Sequence, residues 1–353
     1  MNPITLAIES IGFGGAGVGR LPDGRVCFVP LTLPGERAEV RIIREKKSFA
    51  EAEVVRLAEV SVDRVVPRCP VFGRCGGCAY QHVRYERQLA LKTGQVREVL
   101  RRIAGLADAD VRPMLASPQE WSYRNRLGVH VANRQVGFFG RKSNRIVPVS
   151  DCPIASPDVN ARLAALAANP PREDQKITLR EDAGFHGFSQ VNPGAAKILA
   201  DVVAEMLAGG GDHLVDAYCG AGFLSSRPKD NFPALTGIEW STGAVRAAQA
   251  GARAGDRFLE GAVEAHLPTA LAAADPAATS LIVDPPAEGL SREVVDAVLA
   301  NPPAALAYVS CDPPTLARDL KALSTKLRLD FVQPVDMFPQ TAEIEVAAIL
   351  RIR

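Results

Sequence analysis

Short apolar runs separated by glycine-rich turns open the chain: IGFGGAGVGR, LPDGRVCFVP, LPGERAEVRI and AEAEVVRLAEV all fall within residues 4–60. Asp23-Gly24 between two of them is a hairpin signal. Several strands in so little chain predict a small β-barrel of the OB-like type. From Arg84 to Ile103 the period lengthens, with Tyr85, Leu89, Val96, Leu100 and Ile103 recurring mostly at helical steps. Residues 121–150 then return to strand texture in LGVHV, QVGFFGR and RIVPVS.

From about Phe188 the texture alternates strand and helix. Asn192-Pro193 predicts a helix start, an N-cap followed by proline at the first helical position, and the run ends at Gly209-Gly210-Gly211. A strand (LVDAY), a glycine turn, a second strand (LTGIE) and a helix from Thr242 follow. Next come a strand (LIVD), a helix from Ser291, a strand at Ala307 running into Ser310 and Cys311, and a last strand, EIEVAAILRIR. Continuous apolar strands alternating with helices predict an α/β fold with a doubly wound, mostly parallel sheet.

Charge changes this picture by dividing the chain. Residues 1–150 hold 24 Lys and Arg against 14 Asp and Glu, whereas residues 151–353 hold 17 against 26. A basic half joined to an acidic half suggests a polyanion-binding module attached to something else. Arg124, Arg126, Arg134, Arg141, Lys142 and Arg145 lie in a stretch without a single acid, the best candidate for a nucleic-acid face. Arg41, Arg44, Lys46 and Lys47 suggest a phosphate-contacting loop. No apolar run approaches the ~18 residues that span a bilayer, and MNPITLAIES lacks a secretory pattern, so no membrane partner and a cytoplasmic location are expected. Seven cysteines, an odd number, argue against a disulfide framework.

The candidate chemistry sits at strand ends. The turn Asp216-Ala217-Tyr218-Cys219-Gly220-Ala221-Gly222 follows a strand, and Glu239 ends the next one, where an acid can accept both hydroxyls of a ribose. The third glycine of a dinucleotide turn is absent. That favours adenosine without a pyrophosphate, hence S-adenosylmethionine as cofactor and a methyltransferase. Asp284-Pro285-Pro286 ends another apolar strand, and its carboxyl could hydrogen-bond a substrate amide. Cys311 at the next strand end supplies a thiol, the group needed to add to carbon 6 of a pyrimidine and make carbon 5 nucleophilic. A base must then remove the carbon 5 proton. Glu343 and Glu345, two apart on the last strand and so on one face, are both candidates. Cys69, Cys75, Cys78 and Cys152 provide four thiolates for a metal, zinc or an iron–sulfur cluster, with the spacing alone leaning to zinc.

CPVFGRCGGCAYQH, FSQVNPG, DAYCGAG, GIE, DPP, YVSCDPPTLARDL and MFPQTAEIE occur in the order and spacing of bacterial RNA uracil-5-methyltransferases. The chain most resembles the type with an N-terminal TRAM domain and a 4Fe–4S cluster, which methylates ribosomal RNA. The resemblance covers essentially the whole chain, with residues 1–62 resembling TRAM, 63–83 and 107–185 a small central α+β iron–sulfur domain that contacts RNA, and 84–106 with 186–353 a Rossmann-like SAM methyltransferase domain. It implies Cys311 as nucleophile, Glu345 rather than Glu343 as base, and Asp284 beside the target uracil. It implies donor contacts from Gln190, Tyr218, Gly220, Glu239 and Asp284. The cluster ligands would be Cys69, Cys75, Cys78 and Cys152, which reverses the lean to zinc. A monomer acting on a single-stranded or flipped-out uridine is implied, since the covalent step needs the base out of its stack.

Several positions depart from the family pattern. Ala287 replaces an arginine after DPP, Phe223 and Ala262 stand at usually polar donor-side positions, and Pro228 interrupts the helix expected after the turn. Glu343 replaces a histidine, and Asp312 an asparagine. Transfer RNA uridine or RNA cytosine methylation, or RNA binding without catalysis, are the alternative readings.

Overall fold

The computed structural model of the chain describes residues 3–181 and 190–353. Its contacts divide into two compact units, Met1–Gln95 with Gln119–Ala183 and Phe338–Glu343, and Val96–Pro118 with Gly184–Met337 and Ile344–Arg353.

In the first unit β1 (Ile4–Ala7), β2 (Ser10–Ile11), β3 (Ala16–Arg20), β4 (Val26–Pro30), β5 (Arg37–Glu45) and β6 (Phe49–Glu59) form one sheet in the order β1-β5-β6-β4-β3-β2. Their alternate apolar residues, among them Leu6, Cys27, Val29, Ala38, Val40 and Ala52, close around a single core. Glycine in AGVGR is required by packing: a Cβ on Gly17 would lie 2.0 Å from Thr32 Oγ1, and one on Gly19 2.6 Å from the Ala7 carbonyl oxygen. Glu36 is fully buried, yet it accepts from Arg64 Nε at 2.6 Å and from the Leu33 amide at 2.8 Å. Burial pushes the Glu36 carboxyl up, and the Arg64 guanidinium with the Leu33 and Ser61 amides more than reverses it, leaving it below the ordinary carboxylate value.

Of the expected phosphate-contacting loop, Lys46 and Lys47 lie between β5 and β6, and the two arginines do not. Arg41 and Arg44 lie on β5, where the register sets them opposite Glu53 and Glu51, and both form ion pairs with those carboxylates. Cross-strand pairing therefore engages two of the four cations inside the sheet.

Helix α1 (Tyr85–Val99) continues into a π-helical turn, Leu100–Ala104, that Gly105 closes at φ 74°. The acid-free segment builds β7 (Arg126–Ala132), β8 (Gln135–Phe139) and β9 (Ile146–Pro148). With β10 (Gln175–Arg180) they form a sheet in the order β10-β7-β8-β9. One face carries Leu127, Val129, Val131 and Val136 against Val159 and Leu163 of α2 (Pro157–Ala168), which Ser156 caps.

The second unit is the doubly wound sheet. Its strands β11 (His213–Ala217), β12 (Ala234–Glu239), β13 (Arg257–Glu260), β14 (Thr279–Val283), β15 (Ala305–Ser310), β16 (Leu327–Val335) and β17 (Glu345–Ile352) take the order β13-β12-β11-β14-β15-β17-β16. The first five are parallel, and β17 runs antiparallel between β15 and β16. Helices α3 (Pro193–Met206), α4 (Thr242–Ala250), α5 (Val263–Ala272), α6 (Arg292–Ala300) and α7 (Pro313–Leu323) complete the alternation. Asn192 caps α3 by accepting from the Ala195 amide at 3.1 Å, as its Asn-Pro start predicts. Between β11 and β12 the described backbone holds turns and one 3-10 helix, Pro228–Asn231, where a parallel crossover ordinarily has an α-helix. Strands β13 and β16 are invisible to periodicity: RFLE is too short, and LRLDFVQPV carries charges and a proline. Among the described residues no helix is long and apolar enough to cross a membrane.

Candidate functional site

In an open α/β sheet ligands bind beyond the carboxyl ends of the strands, at the point where the strand order reverses. Here that point lies between β11 and β14, and four of the predicted side chains converge on this edge from different strands. Tyr218 follows β11 in the left-handed region at φ 64°, a conformation costly for a non-glycine residue and concentrated at functional sites. Gly220 and Gly222 continue the turn at φ 53° and 80°. Glu239, buried at the end of β12, accepts from the Gly220 amide at 3.1 Å and from the Ser241 amide at 2.9 Å. Each carboxylate oxygen keeps a lone pair, so the acid is oriented and still able to accept from a diol. Gln190 is partly buried two residues before the α3 cap, whereas Phe188 and Ser189 of FSQVN fall outside the described residues.

Asp284 follows β14, and its amide donates to the Ala217 carbonyl at 3.4 Å. Burial first and the charge of Asp216 second raise the Asp284 carboxyl well above the carboxylate range. Asp216 is raised by burial too, so the two acids cannot both ionise easily.

Cys311 is exposed and ends the β15 segment. Asp312 caps α7, accepting from the Thr315 amide at 2.8 Å, and Ser310 Oγ in turn accepts from the Asp312 amide at 3.1 Å. The cysteine is therefore held beside a helix N-terminus, whose partial positive charge favours an anion. That help is outweighed: although the residue as a whole is exposed, partial desolvation of the thiol and then the charges of Glu345, Asp284 and Asp312 push it up to about 11. Thiol and acids are close enough to feel each other, and the thiol is largely neutral at neutral pH.

The structure separates the two candidate bases. Antiparallel pairing sets Ser310 of β15 opposite Val346 of β17, so Glu345, the first residue of β17, stands where Cys311 leaves β15. Glu345 is 4% exposed. Glu343 precedes the strand and is exposed, and it accepts from Arg124 Nη2 at 3.0 Å within the first unit. The expectation that both acids share one face of a strand is thus corrected, because the strand begins only at Glu345.

Two features of this edge were not read from periodicity. Trp240, directly after Glu239, is 77% exposed, and Phe223 is 41% exposed. A large aromatic residue directly after the strand-end acid Glu239 is the signal that could have found Trp240. Asp319 of α7 accepts from Tyr308 Oη at 2.7 Å and from the Leu290 amide at 2.9 Å, while Arg318 donates to the Glu288 carbonyl at 2.9 Å. This pair ties the loop after Asp284 to the helix after Cys311. Ala262 takes the N-cap position of α5 with no side-chain bond to offer.

In the first unit, Cys69, Cys75, Cys78 and Cys152 all line one cavity of about 140 Å³, together with Phe72, Arg124 and Phe138. Burial pushes Cys78 up to about 12 and Cys152 up to about 11, and neighbouring thiols add to both shifts. Among the described residues no group of three or more His, Cys, Asp or Glu could hold a metal ion. Of the predicted basic face, Arg124 is engaged by Glu343 and lies over the Phe338 ring, and Lys142 pairs with Glu51. Arg126 sits directly opposite Arg180 on β10.

Residues 4–55 match the family profile of the TRAM domain, and residues 271–353 that of tRNA (uracil-5-)-methyltransferase. An RNA methyltransferase of Thermosynechococcus vestitus is 32% identical over 98% of this chain and 97% of its own length. One of Gloeobacter violaceus is 30% identical over 98% and 96%. Among solved structures, the tRNA (uracil-54, C5)-methyltransferase of Pyrococcus abyssi, in complex with S-adenosyl-L-homocysteine, covers 98% of this chain and 100% of its own at 21% identity and a TM-score of 0.71. At that identity the likeness is one of fold.

Proposed function

Since the chain belongs to the TRAM-bearing RNA uracil-5-methyltransferase family, we propose that it methylates carbon 5 of a uridine in ribosomal RNA by way of a covalent adduct on Cys311. The observation that carries this reading is the antiparallel seat of β17, with Glu345 at the strand end that presents Cys311. The Cys311 thiol loses its proton to solvent, and the thiolate adds to carbon 6, forming a C–S bond and moving the ring electrons toward carbon 5 and oxygen 4. S-adenosylmethionine, when bound, would supply an electrophilic methyl group for carbon 5, its S–CH3 bond breaking to leave S-adenosylhomocysteine. Glu345 then takes the carbon 5 proton, the carbon 5–carbon 6 double bond returns, and the C–S bond breaks to release the thiolate. Asp284, protonated more readily than an ordinary acid, can donate to a uracil carbonyl oxygen.

Glu239, Gly220, Tyr218 and Gln190 are assigned to the donor. Glu239 orients the ribose, and the positive-φ turn at Tyr218 brings backbone close to the adenosine. Cys69, Cys75, Cys78 and Cys152 are assigned to a 4Fe–4S cluster with a structural task, joining the cysteine loop to the chain beyond β9. Shared lining of one cavity supports that assignment. Protein prepared without oxygen should be brown and contain about four iron atoms per chain, and colourless iron-free protein would refute it.

RNA carrying 5-fluorouracil tests the mechanism, because fluorine at carbon 5 cannot leave as a proton and the adduct accumulates. Wild type should form a band stable to denaturation, and a Cys311→Ala protein that still forms it sinks the assignment. Transfer RNA is the second reading, favoured by the family profile over residues 271–353. Methylation of ribosomal and transfer RNA fragments in vitro, read by mass spectrometry, separates the two.

A further inference from the structure

The first unit contains a second, larger cavity of about 550 Å³ to which the reaction assigns nothing. Gly77, Gly128, His130, Phe139, Arg141 and Lys142 contribute to its lining. Its size falls in the range of roughly 300–1,000 Å³ that holds small ligands.

Three independent features point to the chemistry of its occupant. The first is a stacking surface: the His130 and Phe139 rings lie 3.9 Å apart, tilted by 24°, and Phe139 is 39% exposed. The core of this sheet lies on its α2 face, so the ring pair is left on the other one. The second is an uncompensated charge. Arg141 is partly buried, and among the described residues no carboxylate pairs with it. An unpaired cation withdrawn from water is costly and calls for an anion.

The third feature is a glycine with no packing reason. Gly128 lies inside β7 without positive φ, and a Cβ there would meet only Lys176 Cε at 3.5 Å. Glycine weakens a strand, and inside one it often marks the close approach of a ligand. Register puts Gly128 and His130 on one face of β7, opposite Thr178 and Lys176 of β10. The space in front of Gly128 is therefore open on the face that carries the exposed ring.

We propose that this cavity binds one unpaired nucleotide of the RNA substrate, its base stacked on the His130–Phe139 pair over Gly128 and its phosphate on Arg141. Base stacking on an exposed aromatic ring with backbone tracking by cations is the general means of holding single strands. The inference rests on the reading of the chain as an RNA enzyme, but its test does not require methylation. Fluorescein-labelled single-stranded RNA of mixed sequence is titrated with the full-length protein across a range of salt. Phe139→Ala should weaken binding roughly 5- to 100-fold, the range for losing one stacked base, and Phe139→Trp should restore it. Gly128→Val fills the cavity from a strand that favours valine, so it should weaken binding to a similar degree while thermal stability holds or rises. Arg141→Gln should lower the salt slope by about 0.7, the value for one phosphate contact on a single strand.

Wild-type affinity in Phe139→Ala and Gly128→Val, or no measurable binding of the probe by wild type, overturns the proposal whether or not methylation occurs. Loss of binding in both variants upholds it even if no 5-methyluridine is ever found, and in that case only the enzymatic reading fails.

Discussion

Replacing Glu345 with Gln should make Cys311 easier to ionise and, at once, strand the reaction at its covalent stage. The wild-type thiol is pushed up to about 11 from 9.0, with Glu345 the largest contribution after burial. At pH 8 a thiol titrating near 11 is ionised to about one part in 1,000, against about one part in 10 at its ordinary value. Removing a nearby like charge lowers a pKa by roughly one unit, so the thiolate fraction should rise about 10-fold. Nucleophilicity falls with pKa at a slope of about 0.4–0.5, which returns roughly a factor of 3. Alkylation of Cys311 by iodoacetamide at pH 8 should thus run about 3-fold faster in Glu345→Gln than in wild type. Peptide mass spectrometry keeps Cys311 apart from the six other cysteines. With unmodified RNA and S-adenosylmethionine the same variant should accumulate a protein–RNA adduct already methylated at carbon 5, since nothing removes the proton. Equal alkylation profiles from pH 7 to 10 together with normal release of 5-methyluridine would refute the placement of Glu345 beside the thiol. Glu343→Gln is the contrast, because Glu343 pairs with Arg124 and is not among the causes of the Cys311 shift.

Three further outcomes probe the scaffold. Arg64→Ala leaves the fully buried Glu36 carboxylate without its counter-charge and should cost about 3–5 kcal/mol in chemical denaturation. Because the folded pKa of Glu36 is depressed, its contribution is present above the unfolded value and lost as pH falls through the folded one. The deficit of Arg64→Ala should therefore narrow below about pH 4. Ala262→Asp supplies the missing cap of α5 and should stabilise by about 1 kcal/mol, seen as a rise in Tm; an unchanged or lower Tm counts against the cap. Trp240→Ala should weaken S-adenosylmethionine binding in calorimetry without changing Tm, whereas equal affinity would remove Trp240 from the donor site.

Much of the candidate chemistry could be read one segment at a time. The DAYCGAG turn, Glu239, Asp284 and Cys311 each follow a short apolar run, and a strand that ends in a turn declares its own carboxyl end. All four strands are observed where their apolar runs lie. The choice between Glu343 and Glu345 was not local in this way. It depends on β17 entering the sheet antiparallel beside β15, which decides where its first residue stands. Nor could Arg41 and Arg44 be known as paired, since their carboxylates come from the neighbouring strand in a register with bulges. Strand β16 escaped notice because edge and half-covered strands need no continuous apolar pattern.

By itself the sequence determined which groups were available: a thiol, two strand-end acids, a glycine turn and three clustered cysteines, each written in a few adjacent residues. Only the tertiary structure decided which of these groups share a site. Local stretches specify strand, turn and cap, because those are set by backbone preferences and by burial on one face. Proximity between Cys311 and Glu345, or between His130, Phe139, Arg141 and the open space at Gly128, is set by sheet order and register. Those arise from the packing of segments distant in the chain, whose pairing no short stretch records.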